Sequence, residues 1–302
     1  MFISPRRTVS VGLIVVTLGV AAACGSSSSG GSNSTVKTGS SGVDKAAAAL
    51  VPAAIKSSGT LKVASDASYA PDEFLASNGT TVVGMDVDLA QAIAAKLGLK
   101  ASVKNVTFNA IIPAIADGRY DLGMSSFTDT KDREKTVNFV TYFKAGTSFF
   151  ERSNGGPSIT GLASICGLKV AVEAGTTEET DAKAQSKKCT HAGKPAATVL
   201  PFNTQSQANL ALNAGRADIG MADSPVAAYQ VQLSNGAFKL VGPSYGTAPY
   251  GIAIAKNTGT LDRAILAAVK AVMADGTYSR ILNKWGIQGG AISNPVINGA
   301  IS

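Results

Sequence analysis

Between residues 121 and 142 the chain reads DLGMSSFTDTKDREKTVNFVTY, where Ser125, Ser126, Thr128 and Thr130 precede Arg133 at short spacing. Hydroxyls and unpaired backbone N–H groups at a turn or helix start attract an anion. A guanidinium beside them suits a carboxylate, because its planar fork makes two parallel charge-assisted bonds. The alternative for this segment is an ordinary capped surface helix with a solvated arginine. Asp223, closing the run DIGMAD, offers the opposite charge to a cation. Covalent and metal chemistry have no comparable set: there is no Gly-x-x-x-x-Gly-Lys loop, Gly-x-Ser-x-Gly elbow or His-Glu-x-x-His helix. The one histidine, His191, reads as a solvated loop residue among Lys, Cys, Thr and Gly, and with Cys166 and Cys189 it makes an incomplete zinc set. No catalytic residue, metal or cofactor is therefore expected.

The elements that must position these residues occur twice. Residues 61–67 read LKVASDA and residues 168–174 read LKVAVEA; residues 118–124 read GRYDLGM and residues 215–221 read GRADIGM. Each copy has a strand with an acid at its carboxyl end, then helical segments, then a Gly-Arg-x-Asp strand ending in polar residues. Two similar α/β units imply two lobes. Open α/β sheets bind ligands beyond the carboxyl ends of their strands, so facing lobes would bring Asp66, Ser125, Ser126, Arg133, Thr177 and Asp223 around one cleft.

A chain of 302 residues, 45% apolar and 16% charged, can build two modest cores. Its formal charge is +7. Arg6 and Arg7 belong to an expected cleaved leader, without which 25 basic residues face 20 acidic ones. The lysines are scattered and not interleaved with aromatic residues, so no nucleic-acid partner is expected. Arg6-Arg7, the apolar run 9–20 and Ala21-Ala22-Ala23 before Cys24 give the three regions of a secretory signal, too short for a stable membrane span. A cysteine directly after small residues resembles a bacterial lipobox, although Ala21 stands where leucine is preferred. The resemblance implies cleavage after residue 23 and lipid on Cys24, holding the protein at the outer face of the cytoplasmic membrane; a plain secreted protein is the alternative. Residues 25–42 are almost wholly Ser, Gly, Asn and Thr, a flexible tether. With Cys24 lipidated, Cys166 and Cys189 form an even pair, read as a disulfide with two buried thiols as the alternative.

Taken in order, residues 43–55 suggest a short alanine-rich helix, and residues 61–64 open the first strand. Residues 66–74 form a loop of acids, a hydroxyl and aromatics; a helix then runs to about Leu97, closed by Gly98. After a strand at 101–106, Asn109 is expected to cap a helix with Pro113 in its first turn. Residues 84–89 (GMDVDL), 111–115 (IIPAI) with 118–121 (GRYD), and Ser125-Ser-x-Thr…Arg133…Val137-x-Phe139 resemble, in order and spacing, the family 3 extracellular solute-binding proteins. The resemblance spans roughly residues 55–288.

It implies an α/β, two-lobed periplasmic-binding-protein-like fold of type II, with two lobes joined by a two-strand hinge. The expected division is a signal peptide at 1–23, a tether and short Ala-rich segment at 24–55, lobe 1 at 56–147 plus 247–288, lobe 2 at 148–246 and a fraying tail at 289–302. It further implies capture of a polar amino acid for an ABC-importer permease by a monomer. Ser125, Ser126, Thr128 and Arg133 would take the α-carboxylate and Asp223 the α-ammonium. Thr177 would close from lobe 2, and Tyr69 and Phe108 would wall the side-chain pocket, with Asp66 beside them. Asp66, Asp72, Glu73 and Glu173 make the pocket mouth acidic, which favours a neutral-polar or cationic ligand. The same fold occasionally carries dehydratase or peptidoglycan-cleaving activity, for which Glu173 or Glu178 would be the acid. A ligand-sensing module is a further alternative, and would be expected to continue into a membrane span.

Overall fold

The computed structural model describes residues 42–302; Cys24, the leader and nearly all of the tether lie outside the described residues. The alanine-rich stretch forms two short helices, α1 (Lys45–Ala49) and α2 (Ala53–Ser58), separated at Pro52, which has no N–H to continue the first. β1 (Thr60–Ser65) leads through β2 (Ser68–Tyr69), β3 (Glu73–Leu75) and β4 (Val82–Val83) to α3 (Met85–Lys96), β5 (Lys100–Asn105), α4 (Phe108–Ala116) and β6 (Leu122–Gly123). A 3-10 turn, Arg133–Lys135, precedes β7 (Val137–Arg152). Then follow β8 (Lys169–Glu173), α5 (Thr177–His191), β9 (Thr198–Phe202), α6 (Gln205–Asn213), β10 (Ile219–Asp223), α7 (Ser224–Leu233), β11 (Phe238–Ala255), α8 (Leu261–Ala274) and α9 (Thr277–Trp285).

The main sheet has the order β5-β1-β6-β11-β7-β10-β8-β9, and β2–β4 form a small sheet of their own. β1 is parallel to β5 and β6, and β8 to β9 and β10. The long antiparallel pair β7 and β11 belongs to both halves. Residues 248–255 oppose 137–145 beside β6, whereas residues 238–245 oppose 147–152 beside β10. Between these stretches the register slips on either side of Tyr245. A Cβ on Gly146 would stand 2.6 Å from the Tyr245 carbonyl oxygen, so this crossing admits no side chain. Two irregularly paired crossings allow bending about one hinge while restraining sliding.

Each half has a core on both sheet faces. In the first, Val63, Leu122, Tyr142 and Ile252 pack with α3, α8 and α9 through Leu89, Ile93, Ile265, Val269 and Leu282. Ile111, Ile115, Phe139 and Ala253 fill the opposite face. In the second, Val170, Val172, Ile219 and Met221 face one way and Ala171 and Ala222 the other, the two-residue period of a strand. Thus α8 and α9, which follow β11, return to the core begun by β1. The Cys166–Cys189 disulfide forms within the second half.

Three local expectations are corrected. Asn109 does not cap α4: the N-cap is Thr107, and the first helical N–H, from Phe108, is taken by Asp66 Oδ2 at 2.9 Å, so a carboxylate from the end of β1 replaces a local cap. Pro113 therefore sits inside the helix, past its first turn. His191 is the last residue of α5 and not a loop residue. The tail does not fray, because residues 296–302 bond to β7 and to the loop ahead of it.

Candidate functional site

The carboxyl ends of β1, β6, β8 and β10 meet between the halves, where a small, nearly closed cavity lies. Asp66, Tyr69, Phe108, Ser125, Ser126, Thr128, Arg133, Thr177 and Asp223 all line it. Glu73, Thr176, Glu173 and Glu178 complete the wall. Thr176 was not singled out by sequence, although its N-cap position ahead of Glu179, whose N–H it accepts, is a recognisable helix-start signal. Of the acids expected at the pocket mouth, Asp66, Glu73 and Glu173 line the cavity, whereas Asp72 lies behind Ser126.

Arg133 is fixed on three sides. Nη1 donates to Thr128 O at 2.8 Å and Nη2 to Gly175 O at 3.0 Å, reaching from one half to the other. Its guanidinium lies 5.5 and 5.3 Å from the ring centres of Phe108 and Phe127, themselves stacked at 4.5 Å. Such cation–π packing orients the fork and shields it from water. Burial lowers its pKa, opposed by Glu178 and Asp223, but an arginine remains protonated throughout the accessible range.

Tyr69 and Asp223 join the halves a second time. Tyr69 donates to Asp223 Oδ2 at 3.1 Å, and its hydroxyl accepts the Asp223 backbone N–H at 2.9 Å. Burial pushes the Asp223 carboxyl well above its ordinary range, and Glu178 adds repulsion. Burial also raises Glu173, with Asp66 adding repulsion, and it raises Asp66. Glu173 Oε1 is buried with no hydrogen-bond partner among the described residues. A buried, acid-rich wall of this kind is stabilised by an entering cation.

Beneath the cavity lies a second acidic layer. Ser125 Oγ accepts the Asp66 N–H and donates to Glu73 Oε1 at 3.0 Å. Ser126, at φ 50°, gives its N–H to Asp86 Oδ2, and its hydroxyl stands 3.0 Å from Asp72 Oδ2 and 3.2 Å from Glu73 Oε2. One hydroxyl has one proton, so serving both contacts requires a proton on Asp72 or Glu73. Burial, together with repulsion from Asp86, pushes both acids well up, in keeping with that count. The protons of Ser125 and Ser126 are thus directed to these acids, leaving Arg133 and the Thr128 hydroxyl as the donors best placed for an anion.

Two α/β halves on a two-strand hinge, closing over a cavity with one guanidinium and a set of carboxyls, define a two-lobed binding protein. Residues 61–288 match the bacterial extracellular solute-binding proteins, family 3, and the chain belongs to that family. It is 35% identical over 251 residues to the arginine-binding protein ArgT of Corynebacterium glutamicum, covering 83% of this chain and 82% of that one. An ancestral arginine-binding protein, solved with arginine and separately with glutamine, is 38% identical at a TM-score of 0.68, covering 75% and 76% of this chain and 98% of its own. The ancestral amino acid-binding protein AncCDT-1, a precursor of cyclohexadienyl dehydratase, is 34% identical at a TM-score of 0.69, covering 77% of this chain and 97% of its own.

Proposed function

We propose that the protein captures arginine in the interlobe cavity and delivers it to the permease of an ABC importer. One observation carries the choice of ligand: five carboxyl side chains, Asp66, Glu73, Glu173, Glu178 and Asp223, share the cavity wall with one guanidinium. A neutral amino acid brings no net charge to that excess. Arginine brings a carboxylate for Arg133 and Thr128, an ammonium for Asp223, and a second cation for Asp66 and the unpartnered oxygen of Glu173, flanked by Tyr69 and Phe108. The names of the relatives support the same ligand. Calorimetry against arginine, lysine, glutamine and glutamate tests it. Arginine should bind tightest, and glutamate or glutamine binding as tightly would overturn the reading.

Capture without turnover is part of this proposal. The enzymatic reading rests on Glu173, a cavity acid that burial keeps protonated above the usual carboxylate range, and on the likeness to AncCDT-1. An aromatic product released from prephenate-like substrates at a rate abolished by Glu173→Gln would favour it. The lobe boundaries near residues 147 and 247, a monomeric state and a lipid anchor on Cys24 complete the proposal. Cys24→Ser should release the protein from membranes to the medium, and continued membrane fractionation would refute the anchor.

A further inference from the structure

The segment at residues 296–302 lies along β7 and then crosses onto the loop that carries Arg133. In the first half β7 has β11 on one side only, and the segment occupies its open edge. Thr141 N donates to Val296 O at 2.9 Å, Val296 N returns to Thr141 Oγ1 at 2.9 Å, and Val140 bridges Ile297. Asn298, at φ 54°, donates its N–H to Phe139 O and accepts the Phe139 N–H on its side chain at 2.8 Å. This left-handed residue, a conformation asparagine tolerates, turns the chain off the strand and towards the loop.

There three contacts hold the loop on both sides of Arg133. Gly299 N donates to Asp129 Oδ2 at 2.7 Å, Ala300 N to Glu134 Oε1 at 3.1 Å, and Lys131 N to Ser302 O at 2.8 Å. Covering a strand edge would be complete at Asn298. The remaining residues contact the loop, and the loop's one side chain in the cavity beyond Thr128 is Arg133.

We propose that residues 296–302 are a positioning segment for the carboxylate-binding arginine, so that their docking and amino-acid capture stabilise each other. This rests on the reading that Arg133 takes the α-carboxylate. A group acting through the loop must contribute to the carboxylate contact and not to the rest of the ligand, and linkage requires that the ligand strengthen the docking by the same factor.

Gly299 supplies a selective variant. A Cβ there would lie 2.8 Å from Val296 Cγ2 and 2.9 Å from Thr141 Cγ2, so Gly299→Val displaces the segment while changing no cavity side chain. Calorimetry with arginine and with agmatine, which lacks the carboxylate, reads the result on the full chain. Arginine should weaken about tenfold in the variant and agmatine should not change. Equal weakening of both ligands, or of neither, overturns the positioning role. If agmatine binds the wild type as tightly as arginine, it is the assignment of Arg133 that fails. Hydrogen exchange of the Gly299 and Ala300 amides in the wild type gives an independent reading: arginine should slow both, and unchanged rates would also overturn the coupling.

Discussion

The two halves begin their cleft-facing strands with one device. In the first, Gly118 is left-handed, Arg119 N returns to Ala114 O, and Asp121 brackets Lys62, its Oδ2 accepting the Lys62 N–H at 2.7 Å while its own N–H reaches Lys62 O. In the second, Gly215 is left-handed, Arg216 N returns to Ala211 O, and Asp218 does the same to Lys169 at 2.8 Å. The copies part only beyond the strand ends. β6 runs into Ser125, Ser126 and the Arg133 loop, whereas β10 ends on Asp223 and enters α7 directly. The repeat therefore builds the frame twice, and the few residues after each strand give the frame opposite charges. A ligand can drive closure only through contacts that exist in the closed form, which opposed charges in separate halves provide.

The largest way to break this opposition is to remove one end. Arg133→Ala strands the ligand carboxylate without its partner, which typically costs about 2–5 kcal/mol, or roughly thirty- to several-thousand-fold in affinity. Asp223→Asn should cost a similar order. Near-wild-type arginine affinity in either variant, measured by calorimetry, would remove that residue from the charge pair. The proposal also fixes a proton count. Burial raises Asp223 and Glu173 well above the ordinary carboxylate range, so a ligand bringing two cationic groups beside them should displace protons. Binding heats in two buffers of different ionisation enthalpy should differ, and identical heats would mean that these acids are already ionised.

The first half carries two buried acids raised to the neighbourhood of neutrality. Burial lifts Asp86 from its ordinary 3.8 to about 6, and lifts Asp129, beside Glu134, Lys131 and the Gly299 N–H, to about 7. The folded chain then binds these protons more tightly than the unfolded one. Through these two groups stability falls as pH rises from about 4 to about 7, and the acids raised further extend the fall. Glu134, Glu179 and Asp275 are lowered by hydrogen bonds and lysine neighbours, so their contribution is lost below about 4.5. A melting temperature higher near pH 5 than at pH 8 is expected, with a shallower slope between pH 6 and 8 in Asp129→Asn. A slope unchanged by that substitution would place the proton elsewhere.

Only the second half has a covalent staple. Cys166 and Cys189 close a loop with a separation of 23 residues, for which the chain-entropy account gives about 3 kcal/mol. Replacing both by alanine should lower stability by that order, with the ligand restoring part of it by mass action. Full stability of the double variant would show that the helix α5 is held by packing alone.

Much of this was legible in sequence because it is local or repeated. The Gly-Arg-x-Asp copies announced two frames, and the hydroxyl cluster before Arg133 announced residues that line the cavity. What escaped was non-local. Nothing near Asn109 tells that Asp66, 42 residues before Phe108, will take the first N–H of α4. A Gly-, Asn- and Ser-rich tail reads as loop, and its docking depends on an open strand edge about 160 residues away. Glu73 was expected at the cavity, but not that Ser125 and Ser126 would hold it there across more than 50 residues.

The smallest effect tests the comparison most directly. Asp121→Ala and Asp218→Ala each remove one carboxylate bond to an N–H near the start of a neighbouring strand, at a solvent-exposed lysine. Exposure allows water to replace the lost acceptor, so each should cost about 1 kcal/mol and not the larger sum expected of a buried charged bond. Because the geometry is the same within 0.1 Å, the two costs should match, and neither should alter arginine affinity by more than a factor of two or so. Denaturant titration of both variants and the double variant checks this. Unequal costs would mean that the halves unfold as separate units with different margins. A loss of affinity in Asp121→Ala alone would mean that the first frame, and not only the residues beyond it, sets the position of Arg133.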